Sequence, residues 1–315
     1  MSVHWLTASL TALTLGAGGC ATVPDWQPND RMPVELRDVP FVPQTTDQCG
    51  PASLAMLLTH TGVSARTDAL RERVYLPARE GTLQYELLAA TREAGRVALV
   101  VQPSPDDLLA HLDAGRAVLV LQDLGVAWRS RWHYAVIVGY LPEEQAFVLR
   151  SGPEARLLMK RQAFLKSWQR GGNWGMVALR PADMPINASE NDYLLAIAAF
   201  ESASRLEQAF DAYAAALERW PDSIGARFGM ANMLYAQNDL QHALPLYVSI
   251  VDEHPDYLSA TNNLALLYRD LGEREHALDT INAAITGAKQ STLLPTLLAT
   301  REEILVSVAF GDSNH

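Results

Sequence analysis

The chain has 315 residues, 49% of them hydrophobic, which is enough to bury a sizeable core and suggests two domains. Its net charge is -11 with no Lys/Arg-rich run, so nucleic-acid binding has no electrostatic support. No Cys-x-x-Cys, His-Glu-x-x-His, phosphate loop or dinucleotide loop occurs, and neither a metal nor an organic cofactor is expected.

Residues 5–19 are apolar or small and end at Cys20, a length that suits the core of a signal peptide and is too short for a spanning helix. Small residues before a cysteine resemble a bacterial lipoprotein signal. The resemblance implies a signal over 1–20, lipid on Cys20 and, with Ala21 following, an outer-membrane address facing the periplasm; plain secretion is the other reading. Residues 21–37, with prolines and charges, read as a tether. The only other cysteine is Cys49, and no disulfide between the two is expected.

From 38 to 180 the pattern predicts an α+β domain. Pro40-Phe41-Val42-Pro43 reads as extended, and a helix begins at Cys49 and ends before Gly62. Helices over 66–74 and 82–94 follow, the second with Thr82 as its cap. Val97–Val101 reads as a buried strand, and Ser104-Pro105-Asp106-Asp107 opens a helix through Ala114. Strands are expected over 117–121, 133–140 and 146–150, then a helical piece over 161–168 and a last strand over 174–179.

After a linker over 181–189, residues 190–310 carry a helical period. Ala209, Ala243 and Ala277 lie 34 apart, as do Pro221 and Pro255, while Tyr213 and Tyr247 each fall four after an alanine. This pattern resembles the tetratricopeptide repeat, in units near 190–223, 224–257 and 258–291 with a final helix over 292–308. The resemblance implies a helical solenoid whose concave surface recruits a protein partner.

The chemistry centres on Cys49. The segment Gln44-Thr-Thr-Asp-Gln-Cys49-Gly-Pro-Ala-Ser-Leu-Ala-Met56 passes from turn-prone residues into helix formers, placing a thiol at a helix N-terminus, where unpaired N–H groups and the dipole favour an anion. Among the histidines, His60 lies roughly 16 Å along the same helix, and His111 reads as structural. His242, His254 and His276 sit among charged residues of the repeats. His133, at the start of an alternating strand and preceded by Trp128 and Trp132, is the candidate base, with the tryptophans expected to shield the pair from water.

These residues together, Val42-Pro-Gln44 through Met56 with His133-Tyr-Ala-Val-Ile-Val-Gly139 downstream, resemble the bacteriocin-leader-processing family of papain-like cysteine peptidases, over about residues 38–180. The resemblance implies that Gln44, or Gln48 as the fallback, helps form an oxyanion hole. It also implies that a residue after the histidine strand orients the imidazole. Ser151 stands where the family has aspartate, and Asp123 is a possible substitute. The expected function is therefore a cell-envelope cysteine peptidase acting on a protein or peptide, membrane-tethered by lipid. Two alternatives are a non-catalytic peptide-binding adaptor and a cell-wall amidase of the same fold.

Overall fold

The computed structural model describes residues 31–44, 48–126, 128–201 and 206–306. The signal region and Cys20 lie outside them. The N-terminal domain runs β1 (Val34–Glu35), α1 (Cys49–His60), α2 (Thr67–Val74), β2 (Tyr75–Leu76), β3 (Gly81–Thr82), α3 (Gln84–Glu93), β4 (Val97–Val100) and α4 (Pro105–Asp113). It continues with β5 (Val118–Asp123), β6 (Trp132–Leu141), β7 (Ala146–Ser151), β8 (Glu154–Lys160), α5 (Arg161–Arg170) and β9 (Gly175–Leu179). Six strands form one antiparallel sheet in the order β4-β9-β5-β6-β7-β8. β1 pairs with the far end of β6, Val34 opposite Tyr140.

The central strands are apolar at successive positions because both sheet faces are covered. Leu119, Leu121, Tyr134, Val136 and Val138 face a core built with Leu54, Met56 and Leu57 of α1 and Leu87 of α3. Val118, Val120, Ala135 and Ile137 face the other way, onto Leu108 and Leu112 of α4 and Phe164 and Trp168 of α5. The Phe147, Phe164 and Trp168 rings pack in series with centroids 4.3 and 6.0 Å apart. α1 therefore lies on one face of the sheet, with its N-terminus carrying Cys49.

Seven helices follow among the described residues: α6 (Glu190–Glu201), α7 (Leu206–Arg219), α8 (Ile224–Ala236), α9 (Leu240–Glu253), α10 (Leu258–Asp270), α11 (Arg274–Gly287) and α12 (Leu294–Val306). They form a helical-repeat solenoid. Ala209, Ala243 and Ala277 are each completely buried, at equivalent places on α7, α9 and α11. Small residues there let neighbouring helices approach closely. Four residues on, Tyr213, Tyr247 and Ile281 are buried too, so Ile281 fills the place of the tyrosines.

Several local expectations are corrected. Thr82 does not cap α3; it belongs to β3, opposite Tyr75, and α3 begins without a side-chain cap. The tether does not reach residue 37, because Val34 to Leu36 already bond to β6, with Leu36 N–H 2.7 Å from the Val138 carbonyl. β8 is an additional strand. It lies at the sheet edge and is mostly exposed, so it carries no continuous apolar run.

Candidate active site

α1 opens with Cys49-Gly50-Pro51, and proline is tolerated in the first turn, where its missing N–H has no helical partner. No side chain caps the helix and no acidic residue occupies its first turn, so its positive end is not neutralised from within. Gly50 is required for packing: a Cβ there would lie 2.7 Å from both Cβ and Oγ1 of Thr82. Thr82 in turn accepts a hydrogen bond at its carbonyl from the Tyr134 hydroxyl, 3.1 Å away. Burial, and after it the charge of Cys49, push the Tyr134 hydroxyl well above its ordinary value. Cys49 is half-buried and stands in the electrostatic field of the residue that directly follows His133.

His133 is the second residue of β6, half-buried at the end of the sheet. Its Nε2 lies 2.8 Å from Ser151 Oγ, on the last residue of β7. With the proton on Nε2, Ser151 accepts and Nδ1 is the basic nitrogen. Burial first, and the positive charge of Arg131 second, bring His133 down to about 4, so the imidazole is neutral at pH 7. Ser151 brings no charge to oppose this.

Gln44 is buried and makes three bonds. Its N–H donates to the Gly152 carbonyl at 3.0 Å, its Oε1 accepts from the Gly152 N–H at 3.0 Å, and its Nε2 donates to Ser53 Oγ at 3.0 Å. Ser53 lies four residues after Cys49 on the same face of α1. Gln44 thus ties the first turns of α1 to the turn just past Ser151, and its second Nε2 proton is available to another acceptor. Gln48 occupies the N-cap position, where its carbonyl accepts from Ala52 N–H at 3.0 Å.

Asp123 is committed elsewhere. Its carboxylate accepts from the N–H groups of Arg131 and Gly125, both at 2.8 Å, and these bonds hold it below its ordinary range against the opposing effect of burial. It anchors the β5–β6 connection and does not bond His133. The tryptophans do not shield the site: Trp128 is 83% exposed and Trp132 58%. His60 Nε2 donates to the Gly115 carbonyl, 2.9 Å away, at the far end of α1. A polar cavity of about 270 Å³ lies there, lined by His60, Arg116, Arg180 and Asp183 among others. His111 is completely buried in α4.

Three supporting residues escaped the sequence: Thr82, Tyr134 and Ser53. Only Ser53 had a signal, its spacing of four from Cys49.

Comparison with known proteins finds one family and a set of solved structures. Residues 36–176 match the family described as "Peptidase_C39 like family". Among solved structures, a C39-like peptidase from Bacillus anthracis aligns at 16% identity and a TM-score of 0.41, over 48% of this chain and 98% of that one. The peptidase domain of Streptococcus ComA, a bifunctional ABC transporter of a quorum-sensing pathway, aligns at 20% identity and a TM-score of 0.36, over 45% and 98%. No curated protein matches. Residues 36–176, with their α+β sheet and Cys49 at the head of α1, are similar to the C39-like peptidase family.

Proposed function

We propose that the protein is a cysteine peptidase of the cell envelope. Cys49 attacks a peptide carbonyl while His133 Nδ1 takes the thiol proton and returns it to the leaving amine; water then releases the acyl-enzyme with His133 again as base. The second Nε2 proton of Gln44, with the backbone N–H of Cys49, stabilises the oxyanion. Ser151 is a positioning residue for the imidazole. The observation that carries this reading is the His133–Ser151 contact at 2.8 Å on strands packed beneath the helix whose first residue is Cys49.

The remaining parts of the reading concern place and partner. Lipid on Cys20 would tether the protein to the outer membrane. The solenoid would recruit a substrate protein or partner, and its charge favours a basic one: residues 190–306 hold 17 Asp and Glu against 7 Lys and Arg, a net -10 of the chain's -11.

The test is covalent capture. The family resemblance implies cleavage after small residues such as a Gly-Gly pair, so a peptide vinyl sulfone with Gly-Gly at its electrophilic end, incubated with wild type and with His133→Ala, should modify Cys49 in the first and not the second, as read by peptide mass mapping. Equal modification in both would overturn the mechanism. One observation favours a second reading, a peptide-binding adaptor: His133 is pushed to about 4 and its partner is uncharged, a weak arrangement for a general base. An adaptor would bind the peptide moiety without any Cys49 adduct.

A further inference from the structure

Residues 124–126 and 128–131, between β5 and β6, form an arm held by backbone hydrogen bonds, and the reaction does not use its residues. Leu124 N–H bonds the Arg131 carbonyl at 2.9 Å, and Val126 and Arg129 exchange both backbone hydrogen bonds at 3.0 Å. The Asp123 carboxylate clamps the base of the arm through Gly125 and Arg131. Gly125 permits the close turn, since a Cβ there would lie 2.1 Å from the Arg129 carbonyl oxygen. This frame presents Val126, Trp128, Arg129, Arg131 and Trp132 to solvent.

We propose that this arm is a membrane-contact element that docks on the surface of an anionic bilayer. Between Leu124 and Trp132 there are two arginines and no acidic residue, in a chain of net charge -11, so the arm is a local reversal of sign. Two exposed indoles suit the headgroup level of a bilayer, where an aromatic ring meets an apolar and a polar medium at once. Arg129 and Arg131 between them suit lipid phosphates. An apolar peptide would fit the tryptophans and leave both guanidiniums unpaired, which is why lipid is favoured over substrate. Docking would hold the His133 end of the sheet at the membrane surface, and headgroups on Arg131 would offset the charge that depresses His133. The proposal does not depend on peptidase activity.

The experiment uses the mature chain with Cys20→Ser, so that no lipid is attached, and sedimentation with phosphatidylglycerol/phosphatidylcholine or pure phosphatidylcholine vesicles. Wild type should bind the anionic vesicles, with tryptophan emission shifting to the blue, and should release as NaCl rises from about 50 to about 500 mM. Trp128→Ala with Trp132→Ala should weaken binding about tenfold or more, and Arg129→Gln with Arg131→Gln should remove the preference for anionic lipid. These side chains are exposed, so unchanged circular dichroism and melting confirm that the fold is kept. Wild type failing to sediment with anionic vesicles, or the tryptophan variant binding as well as wild type, would overturn the proposal. So would a blue shift produced by an apolar peptide and not by vesicles, which would assign the arm to substrate.

Discussion

Gln44 bridges α1 to the Gly152 turn and, in the proposed mechanism, also serves the oxyanion, and a pair of substitutions tells the two roles apart. Gln44→Ala leaves the half-buried Gly152 N–H and the completely buried Ser53 Oγ without their 3.0 Å partners. At about 1–3 kcal/mol for each orphaned group, the loss is roughly 2–6 kcal/mol, against a total stability of about 5–15 kcal/mol for a typical domain. The domain should therefore still fold and melt earlier. If the second Nε2 proton serves the oxyanion, turnover should fall a further 10²–10³-fold or so. Ser53→Ala is the control, because it removes the bond to α1 while leaving the Gln44 amide and its Gly152 bonds in place. It should destabilise by about 1–3 kcal/mol and lower turnover by about tenfold at most. Urea denaturation gives the stability of each variant, and hydrolysis of a fluorogenic Gly-Gly peptide, well below the melting range, gives kcat/KM. Equal losses of activity in the two variants would refute an oxyanion role and leave Gln44 as a structural bridge.

Three further outcomes follow from the charges and hydrogen bonds of the domain. Ser151→Ala should cost about fivefold to tenfold in turnover, the equivalent of one lost orienting hydrogen bond. Ser151→Asp, which puts a carboxylate on Nε2, should move the acid limb of the pH–rate profile upward by about 1–3 units, and an unmoved limb would contradict the 2.8 Å contact. Arg131→Gln should also move that limb upward, since the guanidinium now opposes protonation of His133. His111 bears on stability. Burial outweighs the Asp107 carboxylate 3.7 Å away and brings His111 down to about 4, against about 6.5 when unfolded. The unfolded chain therefore binds the extra proton first, and stability falls as pH drops from about 6.5 towards 4. His111→Leu should reduce that fall by roughly 2–3 kcal/mol in urea titrations at pH 7 and pH 4.5.

The parts of the molecule legible in the sequence are those whose signal is local or strictly periodic. A thiol entering a helix and a histidine opening an alternating strand each declare themselves within a few residues, and alanines spaced 34 apart declare a repeat by their period alone. What stayed hidden depends on long-range register. Gln44 meets Gly152 across 108 positions, and neither residue type reveals the other. Asp123 looked available as an imidazole partner until the clamp on Gly125 and Arg131 took up its oxygen. Thr82 has the chemistry of a helix cap and lies two residues before α3, yet pairing with Tyr75 and packing on Gly50 place it in a strand. β8 lacked a signal because an edge strand is half solvated, and Leu157, Leu158 and Met159 fit an amphipathic helix as readily.

The boundary between the two domains was drawn in sequence at residues 181–189, and the packing across it determines how independent the halves are. Tyr193, Ile197 and Phe200 of α6 are completely buried in the same core as Val97 and Leu99 of β4. The segment between is tied down too: Arg116 Nη2 donates to the Met184 carbonyl at 2.7 Å, and the Tyr193 hydroxyl bonds the Asp183 carbonyl at 3.4 Å. The first helix of the solenoid is thus the cover for one edge of the sheet. Removing everything after residue 189 would expose those contacts and the unpaired edge of β4, at about 1.5–3 kcal/mol for each large apolar side chain uncovered. Residues 31–189 should therefore be destabilised by several kcal/mol and prone to associate through β4, whereas 31–220, which retains α6 and α7, should remain monomeric. Size-exclusion chromatography and urea melts of both pieces decide the matter. A 31–189 piece as stable and as monomeric as the longer one would show that the contacts of α6 add nothing, and the solenoid would then be a tethered module and not part of the peptidase core.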